Sequence, residues 1–306
     1  MRVAVVDIGT NSTRLLVADV EGGRVTELER RSTVTRLGRG VDSSGTLAAD
    51  AIEEVCDTVA EYIDLYRALE PAAVIPIATS AVRDAGNAGA FLAELRERFA
   101  LAARMLRGEE EARLTYLGAC ADRPSANGTL VVDIGGGSTE LVVGSGPEVG
   151  FHVSLQAGTV RHTERHLVSD PPAPGELEAL AGDVGALIDA ELADDAPAGT
   201  GEGIAVAGTP TSLAAIDQEL DPYDPDKVHG FVLSLDSIQR MCSMLAAKPL
   251  AKRLQVAGLH PGRAPTIVAG VVILIQVMRA FGLREIEVSE HDILHGAALE
   301  AARGAT

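Results

Sequence analysis

The chain has 306 residues, 46% hydrophobic and 23% charged, a globular composition long enough for two ordinary domains. A formal net charge of -18 disfavours unspecific binding to nucleic acid or anionic lipid, and 3% aromatics with no Trp leave little to stack bases on. Cys56, Cys120 and Cys242 form no C-x-x-C pair, which suits a reducing cytoplasm and argues against a disulfide framework or structural zinc.

No run of 18 apolar residues predicts a membrane span, and "MRVAVV" enters a strand without the marks of a signal peptide. Val- and Ile-rich runs predict strands near 2–7, 12–20, 24–34, 73–78, 129–133, 138–143, 148–154, 203–207 and 285–288. Helical periodicity predicts helices over 46–69, 88–99, 109–121, 158–168, 174–193, 210–219, 235–247, 263–281 and 291–303. In the first of these, Ile52, Val55, Val59, Ile63 and Tyr66 form one stripe. The apolar run beginning at Thr266 reads as a buried helix started by Pro265. "DRPSANG" is a plausible domain boundary, and "ADDAPAGTGEG" reads as an exposed acidic loop. The alternation is that of an α/β chain.

An internal repeat sharpens this picture. "DIGTNSTRLLV" (7–17) and "DIGGGSTELVV" (133–143) agree at seven of eleven positions, pairing Asp7 with Asp133, Gly9 with Gly135 and Ser12 with Ser138. Each copy is a strand, a Gly/Ser/Thr turn and a second strand. Such a turn brings several backbone N–H groups together with little side chain over them, which suits phosphate oxygens. Its carboxylate suits Mg, a hard cation. One copy alone reads equally well as an ordinary hairpin with Gly in its turn. Arg14 and Glu140 occupy the same place in the two copies with opposite charge, an asymmetry suited to one phosphate and one metal, or to a simple surface pair.

The two turns resemble the phosphate-binding pair of the actin, sugar-kinase and heat-shock-chaperone ATPase superfamily. "VDIGTNSTRLLV", "ATSAVRDA", "GEEEARLTYLG", "VVDIGGGSTELVVG", "AGTPTSLAA" and "PYDPDKVHG" together resemble the Ppx/GppA family of exopolyphosphatases and guanosine pentaphosphate phosphohydrolases, in its short form. The resemblance implies an α/β fold of two related actin-like (ribonuclease-H-like) lobes with an interdomain cleft. The lobes would span 1–122 and 123–306, with the helix 291–303 packing back on the first. It also implies a homodimer.

Glu109, Glu110 and Glu111 open a helix, where acidic residues complement the dipole. That reading suffices for the first two; the resemblance gives Glu111 the role of base or water-orienter. The phosphate-binding candidates are Gly9, Thr10, Asn11 and Ser12 in the first turn and Gly135, Gly136, Gly137 and Ser138 in the second. The resemblance adds Arg83, in sequence equally a solvated helix residue, and the strand–helix junction at Gly208 and Thr209. Ala207 stands where the family usually has glycine. The metal candidates are Asp133 and Glu140, supported by Asp7, for Mg or Mn. The pairs His162/His166 and His291/His295 read as solvated helix faces, and His229 as structural. Arg30, Arg31, Arg36 and Arg39 line either a polyanion path or a solvated loop.

The expected function is Mg-dependent removal of the terminal phosphate from linear polyphosphate, the short form suggesting short chains, or from pppGpp. The scarcity of aromatics ranks polyphosphate first. A sugar or acid kinase of the same superfamily fits less well because "GEEEAR" and "YDPDKVHG" are Ppx/GppA motifs. A non-catalytic sensor is disfavoured by the joint presence of Glu111, Asp133 and Glu140.

Overall fold

The computed structural model describes residues 1–121, 123, 128–146, 148–192 and 201–304. Most of the expected boundary "DRPSANG" and of the acidic loop 193–203 lies outside them. The chain divides into two compact units, one of residues 1–123 with 292–306 and one of residues 124–291.

The first unit runs β1 (Arg2–Ile8), β2 (Thr13–Glu21), β3 (Arg24–Thr33), α1 (Val41–Ser44), α2 (Ala49–Ala68), β4 (Ala73–Ala78), α3 (Ser80–Asp84), α4 (Ala88–Phe99), β5 (Arg104–Met105) and α5 (Gly108–Ala119). Its mixed sheet has the order β3-β2-β1-β4-β5. The second unit runs β6 (Thr129–Ile134), β7 (Thr139–Ser145), β8 (Glu148–Leu155), α6 (Thr159–His166), α7 (Pro174–Leu192), β9 (Glu202–Val206), α8 (Gly208–Asp217), α9 (Pro225–Val228), β10 (Val232–Ser234), α10 (Leu235–Ala246), α11 (Leu250–Arg253), α12 (Ile267–Ala280) and β11 (Glu285–Val288). The last helix, α13 (Ile293–Gly304), belongs to the first unit.

Read from its β8 edge, the second sheet runs β8-β7-β6-β9-β11-β10. Each sheet therefore begins as a three-strand antiparallel meander and continues into parallel strands, the second ending with β10 antiparallel to β11. The correspondence reaches the irregularities: the second and third strands slip register at Val17/Ala18 and at Val143/Gly144, equivalent places in the repeat.

Both faces of β1 are buried, and period-two alternation sorts its residues. Ala4, Val6 and Ile8 join the core of α2 and α4 through Val55, Val59, Ile63, Phe91 and Leu95. Val3 and Val5 face the core formed with Leu114 of α5 and Ile293, Leu294 and Ala297 of α13. The same alternation carries Asp7 to the α13 side. In the second unit, Leu130, Val132 and Ile134 face the core of α7, α10 and α12, and Asp133 points to the other side of the sheet.

Most elements lie within a few residues of their expected places. The 263–281 helix begins only at Ile267, after a 3-10 turn at Pro261–Arg263. The short helices α1, α3, α9 and α11 and the strands β5 and β10 are not among the expected elements, because two to five residues show no periodicity. No described helix is long and apolar enough to cross a membrane.

Glycine sets how closely α5 and α13 approach. A Cβ at Gly118 would collide with the carbonyl of Asp292, and one at Gly296 with the carbonyl of Leu114. Gly118→Ala is expected to cost roughly 1–3 kcal/mol despite alanine's better helix propensity. Gly182→Ala in α7, where a Cβ meets nothing within 4 Å, is expected to gain about 1 kcal/mol. Urea denaturation of the two variants checks the contrast; a stabilised Gly118→Ala contradicts it.

Candidate active site

In both units the candidate turn has the same build. Gly9 N–H donates to Ser12 O at 3.1 Å, and Gly135 N–H to Ser138 O at 2.9 Å. Each bond brings an oxygen so close that a Cβ on the glycine would lie 2.8 Å from Ser12 O or 3.1 Å from Ser138 O. The segment after the third strand then folds back over the turn. In the first unit Gly38 N–H donates to Thr10 O at 2.8 Å, while Thr35 and Arg36 N–H donate to Asn11 O at 3.1 and 3.0 Å. In the second, Thr159 N–H donates to Gly135 O at 2.9 Å and Val160 N–H to Gly136 O at 2.8 Å. Arg161 Nε donates to Gly137 O at 2.7 Å. Gly158 leaves room for this contact, since a Cβ there would collide with Gly136 O and with Gly137.

A trans peptide points its N–H opposite to its C=O. With the carbonyls of residues 135–137 turned to the start of α6, the N–H groups of Gly136, Gly137 and Ser138 point away from it. The N–H groups of Asn11 and Ser12 are placed likewise. Clustered N–H groups of this kind favour an anion.

The strands beside the turns carry the charges. Asp7 lies opposite Arg14 and Asp133 opposite Glu140, so each pair shares one face of its hairpin. Arg14 donates from Nε and Nη2 to Asp7 Oδ2 at 2.9 and 2.6 Å, and from Nη1 to Asp292 Oδ2. Asp7 Oδ1 is buried with no hydrogen-bond partner. Burial raises the Asp7 pKa and the Asp292 charge adds to this, while Arg14 opposes both. Burial acts on Asp292 too, but Arg14, Arg30, His295 and the Leu294 N–H outweigh it and lower its pKa. Glu140 is 1% exposed, and its Oε1 accepts from Ser138 Oγ at 2.7 Å and Ser154 Oγ at 2.8 Å. Carboxylate and hydroxyl oxygens around Asp133 and Glu140 are donors of the kind Mg or Mn prefers.

Within the first unit the turn is tied to Arg83 and Glu111. Thr10 Oγ1 accepts from Ala81 N–H at 3.1 Å, at the start of α3. From that helix Arg83 Nη1 donates to Glu111 Oε2 at 2.9 Å and to Leu106 O at 3.0 Å, while its Nη2 is buried with no partner. The three neighbouring glutamates differ. Glu109 is exposed, Glu110 caps α5 by accepting from Arg107 N–H at 3.2 Å, and Glu111 is buried.

In the second unit the starts of α8 and α6 meet on α12. Thr209 and Thr159 both pack on Gly270 of α12, where a Cβ would collide with Thr209 Oγ1. Arg263 Nη1 donates to Gly208 O at 2.9 Å and Thr211 Oγ1 at 3.1 Å. Ala207 has φ 71° and ψ -170°, a region almost reserved for glycine. The missing glycine is visible in the sequence but the strain is not, and Arg263, Ser154 and Asp292 are not among the residues expected at the site. Asp292 stood in "HDILH", where its charge was the available signal.

The histidine pairs are not solvated faces. His162 and His295 are fully buried, and each meets an acid from elsewhere in the chain, which i, i+4 spacing cannot reveal. His295 Nε2 lies 2.9 Å from Glu27 Oε1. His166 Nε2 lies 2.8 Å from Asp183 Oδ2. His162 Nδ1 accepts from Gly158 N–H at 3.3 Å, so the proton of the neutral ring sits on Nε2, 3.5 Å from Asp183 Oδ2. Arg165 also approaches Asp183, at 3.5 Å. These contacts anchor α6, the helix behind the second turn, to α7. His229 Nδ1 accepts from Glu290 N–H at 3.2 Å. Of the basic stretch, Arg30, Arg31 and Arg39 pair with Glu27, Glu29 and Asp50.

The profile of the Ppx/GppA phosphatase family matches residues 16–303. Exopolyphosphatase 2 of Mycobacterium tuberculosis is 35% identical over 315 aligned positions, 98% of each chain. The crystal structure of the Aquifex aeolicus member of the Ppx/GppA family is 31% identical with a TM-score of 0.85, covering 100% of this chain and 99% of that one. An exopolyphosphatase-like protein of known structure is 31% identical with a TM-score of 0.94 over the same shares.

Two outcomes are expected from this geometry. Ala207→Gly relieves the φ 71° backbone and raises stability by about 1 kcal/mol, whereas Ala207→Val lowers it; thermal unfolding of both reads the difference. Burial lowers the His162 pKa from 6.5 to about 4, with Asp183 pulling against it. Between those values the unfolded chain binds the extra proton, so His162 costs stability as pH falls from 6.5 to 4, by roughly 3 kcal/mol, and nothing further below. Denaturation of wild type and His162→Gln across pH 4–7 checks this; equal slopes contradict it.

Proposed function

The chain belongs to the Ppx/GppA phosphatase family, and on that premise we propose that it is an exopolyphosphatase, releasing the terminal phosphate of linear polyphosphate with Mg or Mn. The observation that carries this reading is the buried Glu111, held by Arg83 on a helix whose start is bonded to the first phosphate turn. Phosphoryl transfer to water passes through a loose transition state, so orientation and charge neutralisation matter more than strong basicity. A carboxylate fixed by a guanidinium meets that requirement.

In the proposed reaction the Glu111 carboxylate accepts a hydrogen bond from water and aims its oxygen at the terminal phosphorus. A P–O bond to water forms as the bridging P–O bond breaks. The water's proton passes to the carboxylate, and the shortened chain leaves as an anion that needs no strong acid. In the first unit Arg83, through its unpartnered Nη2, and the N–H groups of the turn are the phosphate-binding groups; in the second unit they are the N–H groups of the turn with Gly208 and Thr209 at the start of α8. Asp133 and Glu140 are the cation ligands of the second turn, and Asp7 is the supporting cation ligand of the first. A divalent cation, when bound, neutralises phosphate charge that would otherwise repel the attacking water.

Polyphosphate is favoured over pppGpp by the naming of the mycobacterial relative and by the scarcity of aromatic side chains for a guanine.

Phosphate release from short polyphosphate, long polyphosphate, pppGpp and ATP, with and without Mg, tests the assignment. Polyphosphate is expected to be the best substrate and Mg to be required. Glu111→Gln is expected to lower kcat by at least about a hundredfold with KM within a few-fold. Unchanged turnover in that variant refutes the mechanism, and preferential pppGpp cleavage refutes the substrate assignment.

A further inference from the structure

Asp292 lies at the start of α13, far along the chain from the first turn, yet it is 2% exposed and its Oδ2 accepts from Arg14 Nη1. Its Oδ1 accepts from Leu294 N–H at 3.0 Å. The backbone around it is equally constrained. Gly296 N–H donates to Asp292 O at 3.1 Å, and that carbonyl presses on Gly118 of α5, the helix that carries Glu111. The carboxylate is thus fixed by the Leu294 N–H of the last helix, and the residue's backbone carbonyl is fixed between Gly296 N–H and α5. Asp292 therefore has anchors besides Arg14, and Arg14 spans Asp7 and Asp292.

The charge count at this place is uneven. Asp7 and Arg14 alone form a neutral pair, and a guanidinium with two donors on Asp7 Oδ2 would compete with any cation there. Asp292 takes the third donor and adds a second buried carboxylate, so the trio carries a net negative charge. Asp7 Oδ1 is left buried and unpartnered. A buried carboxylate oxygen without a donor is costly unless something positive completes it.

We propose that Asp292 is a positioning residue for the first turn, holding Arg14 to one oxygen of Asp7 and supplying the charge that lets the other take a divalent cation. The proposal rests on the reading of Asp7 as a cation ligand. It makes the last helix part of the site's machinery rather than a tail.

The test is binding of Mn to the full-length protein, followed by electron paramagnetic resonance, for wild type, Asp292→Asn, Asp292→Glu and Asp7→Asn. Asparagine keeps the acceptor for Leu294 N–H and removes only the charge; Asp292→Ser keeps that acceptor too and replaces it if the first variant does not fold. Loss of one nearby negative charge is expected to weaken Mn binding by about tenfold, with the circular dichroism spectrum unchanged. Asp292→Glu is expected to restore most of the affinity, and the KM for polyphosphate to change less than the Mn requirement. If Asp7→Asn weakens Mn binding and Asp292→Asn does not, Asp292 only starts its helix and the proposal fails. If Asp7→Asn binds Mn as wild type does, the cation reading of Asp7 fails, and the proposal with it.

Discussion

The site depends on which way a handful of carbonyls point. A short turn between two strands has both donors and acceptors to satisfy, and left alone it would present them indiscriminately to solvent. Here a later segment, residues 35–38 in the first unit and 158–161 in the second, donates to the carbonyls from behind. Peptide planarity then turns the N–H groups of the same turn the other way. The glycines follow from this constraint: they let Ser12 O and Ser138 O close the turns, and let Gly158 lie against the second one.

Built twice, the device has diverged where charge matters. The sheet order, the closing bond and even the register slip are shared between the units. What differs is the residue opposite the aspartate. Arg14 pairs with Asp7 and with Asp292, whereas Glu140 adds to the charge of Asp133 and rests on two serine hydroxyls. A duplicated scaffold with unlike charges is what a polyanion accompanied by metal calls for, since one partner must be met by cations and the other by carboxylates.

Much of this was legible because it is local. The repeat, the strand–turn–strand pattern and the pairing of Asp7 with Arg14 and Asp133 with Glu140 follow from spacing and strand alternation. The distinction among Glu109, Glu110 and Glu111 needed the family resemblance, since helix dipole arguments treat the three alike. The rest was not legible for one reason: it involves partners remote in sequence. Asp292 meets Arg14 at a separation of 278 residues, His162 meets Asp183 on another helix, and Arg263 meets Gly208 across 55. Periodicity assigns a residue to a face but not to the group that will cover that face. Short helices such as α3, which carries Arg83, have too few residues for any period.

Three of the places where the chain departs from what stability alone would choose fall on or beside the candidate residues. Ala207 holds a backbone conformation that glycine would take without strain, directly before Gly208 and Thr209. Asp7 keeps a buried oxygen without a donor, and Arg83 a buried nitrogen without an acceptor. Each is expensive in a folded protein, by an amount comparable to a typical point mutation. They occur beside turns whose carbonyls are paired from behind. An unpaired acceptor beside Arg14 and an unpaired donor beside Glu111 are complementary to what phosphate chemistry brings, a cation for the one and an anion for the other. On the proposed function, stability given up at those atoms is recovered when the ligand binds.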